Sequence, residues 1–172
     1  MKRIESCLNH CRDSGLQDIL RTATEAAIKA AQVLLACYEQ PHQIQHKGTI
    51  DLVTEADLAS EELIIDILRH NLPGIELLSE ESFSSYDDIP DTPVWIIDPL
   101  DGTTNFAHNF PWFSVSIAFY DRGKSRAGVI YNPIQDELFC TTLDGGAWLN
   151  GQRISVSEVQ SLQKALVATG FP

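Results

Sequence analysis

The chain has 172 residues, of which 44% are hydrophobic, so it can bury one substantial core and gives no reason to divide residues 1–172 into two domains. Its 24 Asp and Glu residues outnumber 12 Lys and Arg residues, and the net charge of −12 argues against nucleic acid as a partner. No segment has the length of a transmembrane helix and no apolar run opens the chain, which predicts a cytoplasmic protein without a membrane partner.

Two amphipathic helices are predicted in the first half of the chain. Apolar residues recur with a helical period over residues 16–40, and Pro41 ends that pattern. A second helix follows residues 51–57 and ends at the Pro73-Gly74 pair. Asp57 stands at the start of this second helix, where an acidic side chain can also serve merely as a favourable helix-end charge.

The pattern changes to β-structure after the second helix. A buried strand over residues 75–79 delivers Glu80 and Glu81 at its C-terminal end, although such a pair alone could equally be a solvated acidic pair. The next strand should end at Asp98, because Pro99 cannot donate a hydrogen bond to a sheet ladder. Further strands are predicted over residues 113–120, 127–131, 137–142, 147–149 and 165–169. Because tight turns link consecutive strands, we expect an antiparallel meander.

Residues 95–106, WIIDPLDGTTNF, carry the most specific chemical signal. Asp98 and Asp101 flank a rigid Pro-Leu corner, and carboxylate oxygens are the ligands that Mg²⁺ prefers. Gly102 lets the backbone come close to a ligand. A short helix whose N–H groups face an anion could follow, capped by Thr103, Thr104 and Asn105. The layout predicts a site for a metal ion and a phosphate group.

Three other interpretations of this run fit less well. A simple Asx-type turn explains a lone Asp-Gly pair but leaves the other acids of the chain unexplained. A calcium loop counted from Asp98 needs an acid at its third position and Glu at its twelfth, where Leu100 and Asn109 stand. An aspartyl-nucleophile phosphatase has the spacing Asp-x-Asp, whereas Asp98 and Asp101 have the spacing Asp-x-x-Asp.

Acids elsewhere in the chain complete this predicted site. Glu80, Asp98 and Asp101 all follow strands or strand ends, and because adjacent strand ends converge, they can share metal ions. Two metal ions bridged by one carboxylate would hold both the attacking and the departing oxygen of a phosphate ester. Asp57 paired with Thr103 would then position or deprotonate the metal-bound water. We therefore predict two-metal hydrolysis of a phosphate monoester.

Three motifs resemble those of the inositol monophosphatase family of Mg²⁺-dependent, lithium-sensitive phosphatases: DLVTEAD at 51–57, SEES at 79–82 and WIIDPLDGTTNF at 95–106. The motifs occur in the family's order, and the resemblance covers about residues 16–172. It implies an α+β fold in layers, with two N-terminal helices packed on a large, mostly antiparallel sheet. It also implies a small-molecule phosphate ester as the substrate and a possible homodimer.

The same resemblance implies roles for individual residues. The implied Mg²⁺ ligands are Glu80, Asp98, Asp101 and, through its backbone carbonyl, Leu100. The residues implied for substrate binding are Leu100, Asp101, Gly102 and Thr103, the last two through backbone N–H groups to the phosphate. Asp57 and Thr103 would together activate the attacking water. Glu81 would be a supporting acid, and Lys47 would be a lesser neighbour of the site.

The sequence departs from the family pattern in one respect. Family members continue into a second half with a Trp-Asp-x-Ala-x-Gly motif, whose Asp completes the second metal site. No Trp-Asp pair occurs in this sequence, in which Leu149 follows Trp148. We therefore expect the chain to be the N-terminal portion of such a phosphatase.

The expected substrate is inositol 1-phosphate, hydrolysed to inositol and phosphate. Fructose 1,6-bisphosphate, histidinol phosphate and 3′-phosphoadenosine 5′-phosphate remain alternatives, because related enzymes share the pattern over residues 98–103. An alternative from another class is a non-catalytic module that binds a metal ion or phosphate, which the missing third Asp favours.

Overall fold

Helices pack on one side of a twisted sheet in the computed structural model of the chain, which describes residues 2–38, 44–46, 52–80 and 92–168. The helices in these ranges are α1 (Glu5–His10), α2 (Ser14–Cys37), α3 (Glu55–Asn71) and α4 (Thr103–Ala107). The strands are β1 (Ile44–His46), β2 (Leu52–Thr54), β3 (Glu76–Ser79), β4 (Val94–Asp101), β5 (Ser114–Asp121), β6 (Lys124–Asn132), β7 (Glu137–Thr142), β8 (Gly146–Leu149) and β9 (Gln152–Ile154).

Both predicted helices are present, with local signals at their ends. Helix α2 begins after Asp13, whose carboxylate accepts hydrogen bonds from the N–H groups of Gly15 and Leu16 at 2.9 and 3.3 Å. This arrangement satisfies two of the N–H groups that lack an intrahelical partner. The helix ends at Cys37, slightly before the predicted end at residue 40. Helix α3 ends at Asn71, just before the predicted Pro73-Gly74 stop.

The main sheet has the strand order β3-β4-β5-β6-β7-β8-β9. Strands β3 and β4 are parallel, and every later neighbouring pair in this order is antiparallel. Strands β1 and β2 form a separate antiparallel pair. The predicted α+β fold, with helices on a large and mostly antiparallel sheet, is therefore confirmed, as is the meander.

The core lies between the sheet and the two long helices. On β5, Val115, Ile117 and Phe119 are buried, whereas the alternate residues are only partly buried, as the sequence alternation predicts. Helix α2 faces this layer with small residues such as Ala27 and Ala30, which let its backbone lie close to the strands. Helix α3 packs beside α2 and against β4, so its first turn lies next to the end of that strand.

The predicted end of a strand at Asp98 is wrong, because β4 continues to Asp101. Asp98 pairs with Ser116 and Asp101 pairs with Ser114, so two residues of β4 stand opposite a single residue of β5. This is a β-bulge, in which the extra residue is left out of the ladder. Pro99 lies within the bulge, where its missing N–H group is not needed for pairing.

Two smaller predictions also differ from the structure, and two short elements were not predicted. Helix α4 forms where a short helix is predicted, but its N-cap is Gly102 and no side chain bonds there, so the predicted capping residues are wrong. Residues 165–168 form no strand, and Thr169 of that predicted strand lies outside the described residues. Helix α1 and strand β9 are not predicted at all, because both are too short for a periodic pattern to develop.

The N-terminal segment is part of the core although its sequence shows no clear period. Ile4, Cys7 and Leu8 are buried, and α1 lies against β7 and β8. Arg3 donates two hydrogen bonds to Asp136, at 2.5 and 2.7 Å, which join the chain's start to the turn between β6 and β7. Among the described helices, none is long and apolar enough to cross a lipid bilayer.

Two neighbouring leucines of α2 test where the core lies. Leu34 is fully buried and Leu35 is 43% exposed. We expect Leu34→Ala to lower the free energy of unfolding by about 3 kcal/mol, because it removes buried methyl groups and leaves a cavity. Leu35→Ala is the matched control and should change it by less than about 0.5 kcal/mol. Urea denaturation measures both values, and equal losses in the two variants would show that this face of α2 is misplaced.

Candidate functional site

Glu80 and Asp98 lie side by side because of the pairing of two parallel strands. Ser79 of β3 is in register with Ile97 of β4, so the residues that follow them are neighbours. The N–H group of Glu80 donates a hydrogen bond to the carbonyl of Ile97 at 3.1 Å and continues this pairing. The ends of β3 and β4 therefore lie side by side at Glu80 and Asp98, as the sequence predicts.

The bulge in β4 positions the two aspartates that flank it. The N–H group of Leu100 donates to Oδ1 of Asp98 at 3.2 Å, which orients this carboxylate. The hydroxyl of Ser114 donates to Oδ2 of Asp101, also at 3.2 Å. From helix α3, the buried hydroxyl of Ser60 donates to the carbonyl of Pro99 at 2.8 Å and ties the bulge to the helix.

Asp98 stands in a strongly negative environment. The pKa of its carboxyl is raised from 3.8 to about 8, first by burial and then by the charges of Glu80 and Asp101 and a hydrogen bond with Glu80. A hydrogen bond from the Leu100 backbone opposes this shift in pKa only in part. Like-charged carboxylates gathered in this way are stabilised when a cation binds among them.

The donor set of this cluster fits a hard divalent cation. Glu80, Asp98 and Asp101 offer carboxylate oxygens, and the Leu100 carbonyl faces the same bulge, which together are the ligand types that Mg²⁺ prefers. Within the described ranges, no three His, Cys, Asp or Glu side chains are grouped closely enough to enclose a metal ion. Water and a substrate phosphate would therefore supply the remaining ligands, as they usually do for Mg²⁺.

Asp57 is fully buried in the first turn of α3 and so is not a solvent-exposed helix-end charge. The hydroxyl of Thr103 lies 3.1 Å from Oδ1 of Asp57 and 3.0 Å from the carbonyl of Leu100. This hydroxyl has a single proton to donate, which these two acceptors share. Ser60 lies one turn after Asp57, so one face of α3 contacts both α4 and the bulge.

Gly102 connects the bulge to helix α4 in a conformation that favours glycine. Its φ angle is 98°, in the left-handed region. A Cβ atom at this position would lie 3.1 Å from the carbonyl oxygen of Trp112 and 3.4 Å from Phe113. The first N–H groups of α4 have no intrahelical partner and are thus available to an anion.

The structure brings most of the predicted site residues together. The contacts described above link six of these residues, namely Asp57, Glu80, Asp98, Leu100, Asp101 and Thr103. Lys47 and Glu81 lie outside the described residues. Sequence reasoning missed Ser60 and Ser114, which hold Pro99 and Asp101. The small residues at alternate positions of β5 were a signal for Ser114, but they indicate only that a face is small.

The pKa of Asp98 predicts how stability depends on pH. Between pH 3.8 and about 8 the folded protein holds a proton that the unfolded chain releases. Stability without metal should therefore fall as pH rises through this window, by at most about 1.4 kcal/mol per pH unit from this group. Urea denaturation in EDTA at several pH values, with wild type and Asp98→Asn, measures the effect. The variant should show a shallower fall, and identical slopes would contradict the shift in pKa.

Gly102 and Gly74 both have a positive φ, so comparing alanine variants at the two positions distinguishes the cost of backbone strain from the cost of a steric contact. Gly102 has little space around its Cα, whereas Gly74, with φ 86°, has no atom within 4 Å of an added Cβ. Alanine at either position adopts an unfavourable φ, at a cost of about 1 kcal/mol. We expect Gly102→Ala to lose stability beyond Gly74→Ala and to weaken phosphate binding, because its Cβ displaces the turn. Denaturation and phosphate titration with Mg²⁺ present test this, and equal behaviour of the two variants would contradict it.

Comparisons with known proteins find similar sequences and similar folds. Residues 15–172 match the profile of the inositol monophosphatase family. The chain is 44% identical over 161 residues to a protein named inositol monophosphatase 3 from Solanum lycopersicum, an alignment that covers 92% of this chain and 60% of that protein. It is also 40% identical over 159 residues to Nus factor SuhB of Escherichia coli strain K12, covering 91% of this chain and 59% of that protein.

Solved structures show the same fold. The extragenic suppressor protein SuhB from Bartonella henselae superposes with a TM-score of 0.76 at 41% identity, over 82% of this chain and 55% of that one. The inositol monophosphatase (IMPase) TM1415 of Thermotoga maritima superposes with a TM-score of 0.75 at 34% identity, over 82% of this chain and 54% of that one. The chain thus spans about 60% of the length of the curated relatives that it matches.

Proposed function

The chain belongs to the inositol monophosphatase family, and on this premise we propose that it is the N-terminal portion of a Mg²⁺-dependent phosphomonoesterase. The proposed reaction is the hydrolysis of inositol 1-phosphate to inositol and phosphate. One observation carries the proposal: the carboxylates around Asp98 lie beside the buried Asp57 and the Thr103 hydroxyl bonded to it. A cation site and a proton acceptor therefore meet at the same bulge.

The proposed ligands for Mg²⁺ are Glu80, Asp98, Asp101 and the carbonyl of Leu100. The raised pKa of Asp98 supports this assignment, since the ionised cluster is unfavourable until a cation neutralises it. When bound, Mg²⁺ supplies Lewis-acid polarisation of the phosphoryl group and offsets the negative charge of the phosphate. Ser114 keeps the Asp101 carboxylate in place, and Ser60 keeps the bulge in place.

The proposed phosphate contacts are the N–H groups of Gly102 and Thr103. Both stand at the start of α4, where N–H groups lack intrahelical partners. Gly102 permits the left-handed turn that leads from the bulge into α4, and a side chain here would press against the carbonyl of Trp112. Leu100 and Asp101 precede these donors directly, so the same short segment would hold the phosphate and the metal ion that neutralises it.

Asp57 is the proposed general base. It would accept a proton from the water that attacks phosphorus, while the bond between phosphorus and the inositol oxygen breaks and that oxygen takes up a proton from solvent. A carboxylate offers several acceptor positions, so the hydrogen bond from Thr103 orients Asp57 without using all of them. The carbonyl of Leu100, which also accepts from Thr103, links this base to the bulge.

The names of the relatives support a phosphate monoester as substrate and inositol 1-phosphate as the first choice. Fructose 1,6-bisphosphate, histidinol phosphate and 3′-phosphoadenosine 5′-phosphate are the alternatives within the same chemistry. On the basis of family membership, the proposal also includes inhibition by Li⁺, a location in the cytosol and a homodimeric state.

A second candidate is a module that binds Mg²⁺ and phosphate without turnover. The observation in its favour is that the sequence contains no Trp-Asp pair to supply a further metal ligand. The carboxylates of the described residues would then hold a cation without completing a site for the departing oxygen.

Phosphate release from the four candidate esters, with and without Mg²⁺, distinguishes these functions. The phosphatase proposal predicts release that requires Mg²⁺ and is fastest with inositol 1-phosphate. We expect slow turnover, because the chain spans about 60% of its relatives. Mg²⁺ binding without release from any ester would support the binding module, and fastest release from another ester would replace the proposed substrate.

A further inference from the structure

A cavity of about 550 Å³ is lined by three arginines and lies beside the N-terminal end of α2. We call it the arginine cleft and define it by Arg12, Arg126 and Arg153. Its volume is within the range of small-molecule sites. Its basic lining contrasts with a chain that carries a net charge of −12.

The arginine cleft is remote from the candidate phosphatase site. Asp101 pairs with Ser114 at one end of the sheet. Because the strands from β4 to β7 are antiparallel, Asn132 at the end of β6 and Glu137 at the start of β7 lie at that same end. Arg126 precedes Ala127, which pairs with Thr142 at the opposite end. The cleft therefore cannot share a ligand with the Asp98 cluster, and it requires an explanation of its own.

The acidic residues of the cleft do not neutralise its three arginines. Asp13 and Asp144 are the only carboxylates among the described residues that line it. Asp13 caps α2 with Oδ1, and its Oδ2 lies 4.0 Å from Arg126, at the outer limit of an ion pair. The side chains of Arg12 and Arg153 form no hydrogen bond or ion pair with any residue in the described part of the chain.

Arg153 is held in place without using its hydrogen-bond donors. Its guanidinium lies over the ring of Trp148, 5.9 Å from the ring centroid, and cation–π attraction favours this position. The indole N–H of Trp148 donates to the carbonyl of Gly145 at 3.1 Å, so the ring itself is fixed. A Cβ atom at Gly146 would lie 3.0 Å from Nη2 of Arg153, so the missing side chain leaves room for the guanidinium.

We propose that the arginine cleft is a binding site for a small molecule that carries a phosphate group. Guanidinium groups bind phosphate oxygens through paired N–H donors, which is the chemistry that Arg12 and Arg153 hold available. Arg126 adds a third positive charge beside them. The half-exposed Leu143 at the rim offers an apolar contact for the remainder of such a molecule.

Calorimetric titration with inorganic pyrophosphate in EDTA tests this site separately from the proposed phosphatase function. Without a divalent metal, the carboxylates around Asp98 repel the anion, and the arginine cleft should account for the binding. Arg153→Gln should weaken binding about tenfold or more, since hydrogen bonds between two charged groups are among the strongest in proteins. Arg153→Lys keeps the positive charge but loses the paired N–H donors of the guanidinium, so its affinity for pyrophosphate should lie between those of Arg153→Gln and wild type.

Arg122→Gln is the matched control, because Arg122 stands in the turn between β5 and β6 with a side chain that is 86% exposed. Arg122→Gln should bind pyrophosphate with the affinity of wild type. Both proteins should bind citrate more weakly than pyrophosphate. The proposal is overturned if wild type does not bind pyrophosphate, or if Arg153→Gln and Arg122→Gln weaken binding equally. Tighter binding of citrate would replace phosphate with carboxylate as the ligand class.

Discussion

Replacing Asp57 with Asn is expected to slow phosphate release by about 10²- to 10⁴-fold, the usual contribution of a positioned general base. Asn has nearly the same size, and its side-chain oxygen can still accept the hydrogen bond that Thr103 donates to Oδ1 of Asp57 at 3.1 Å. The variant therefore loses the proton acceptor and keeps the local geometry. Because Asp57 is not among the proposed metal ligands, affinity for Mg²⁺ should change little.

Asp66→Asn is the control for this variant, because Asp66 lies on the same helix and is exposed. It removes the same charge from α3 and should leave the rate unchanged. Comparable rates for Asp57→Asn and Asp66→Asn would show that Asp57 is a structural carboxylate. A loss of Mg²⁺ affinity as large as the loss of rate would instead place Asp57 among the ligands.

Asp98→Asn should weaken Mg²⁺ binding by at least about 100-fold, since loss of outer-shell partners alone commonly costs 10- to 100-fold in metal affinity. The same change should stabilise the metal-free protein near pH 8. There it removes a charge that burial and the neighbouring Glu80 and Asp101 make unfavourable, as the raised pKa of Asp98 indicates. Weaker metal binding together with a more stable apoprotein is a combination that general damage to the fold does not produce.

Asp18→Asn is the matched control for this second variant, because Asp18 is exposed on α2, far along the chain from the bulge. It should change neither the Mg²⁺ affinity nor the stability near pH 8. Isothermal titration calorimetry and urea denaturation measure the two quantities. If Asp98→Asn binds Mg²⁺ as wild type does, Asp98 is not a ligand.

The long elements of the fold could be predicted because each repeats its signal many times. Helix α2 shows apolar residues over several turns, and β5 alternates buried and partly buried residues along its length. Helix α1 has only six residues, of which Cys7 and Leu8 are buried, so it is too short to show a period. Its position depends instead on contacts with β7 and β8, far away in sequence.

The course of β4 shows why a local rule failed. Pro99 cannot donate to a ladder, which correctly implies an interruption there. Whether the strand stops or bulges depends on its partner, and the pairing of Asp101 with Ser114 keeps the strand going. The bond from Ser60 to Pro99 comes from another element altogether. No pattern within residues 95–101 contains that information.

The residues of the candidate site were easier to predict from the sequence than the contacts that hold them in place. Asp98, Asp101, Gly102 and Thr103 are neighbours in sequence, so their spacing alone indicates a metal and phosphate turn. Asp57 lies 46 residues from Thr103, so no local spacing joins the two, and the sequence could pair them only through the chemistry expected of them and through the resemblance to a known family. The arginine cleft had no such guide, because Arg12, Arg126 and Arg153 come from distant parts of the chain.

Magnesium binding by the 172-residue chain tests the central claim, that the carboxylates around Asp98 form the metal site. Calorimetric titrations in buffers of different ionisation enthalpy measure both the affinity and the protons released. With the pKa of Asp98 at about 8, binding near pH 7 should release close to one proton. Wild type should bind Mg²⁺ with this release, and Asp98→Asn should bind it at least about 100-fold more weakly and without the release. Binding without proton release that persists in Asp98→Asn, or no binding in wild type, would contradict the claim.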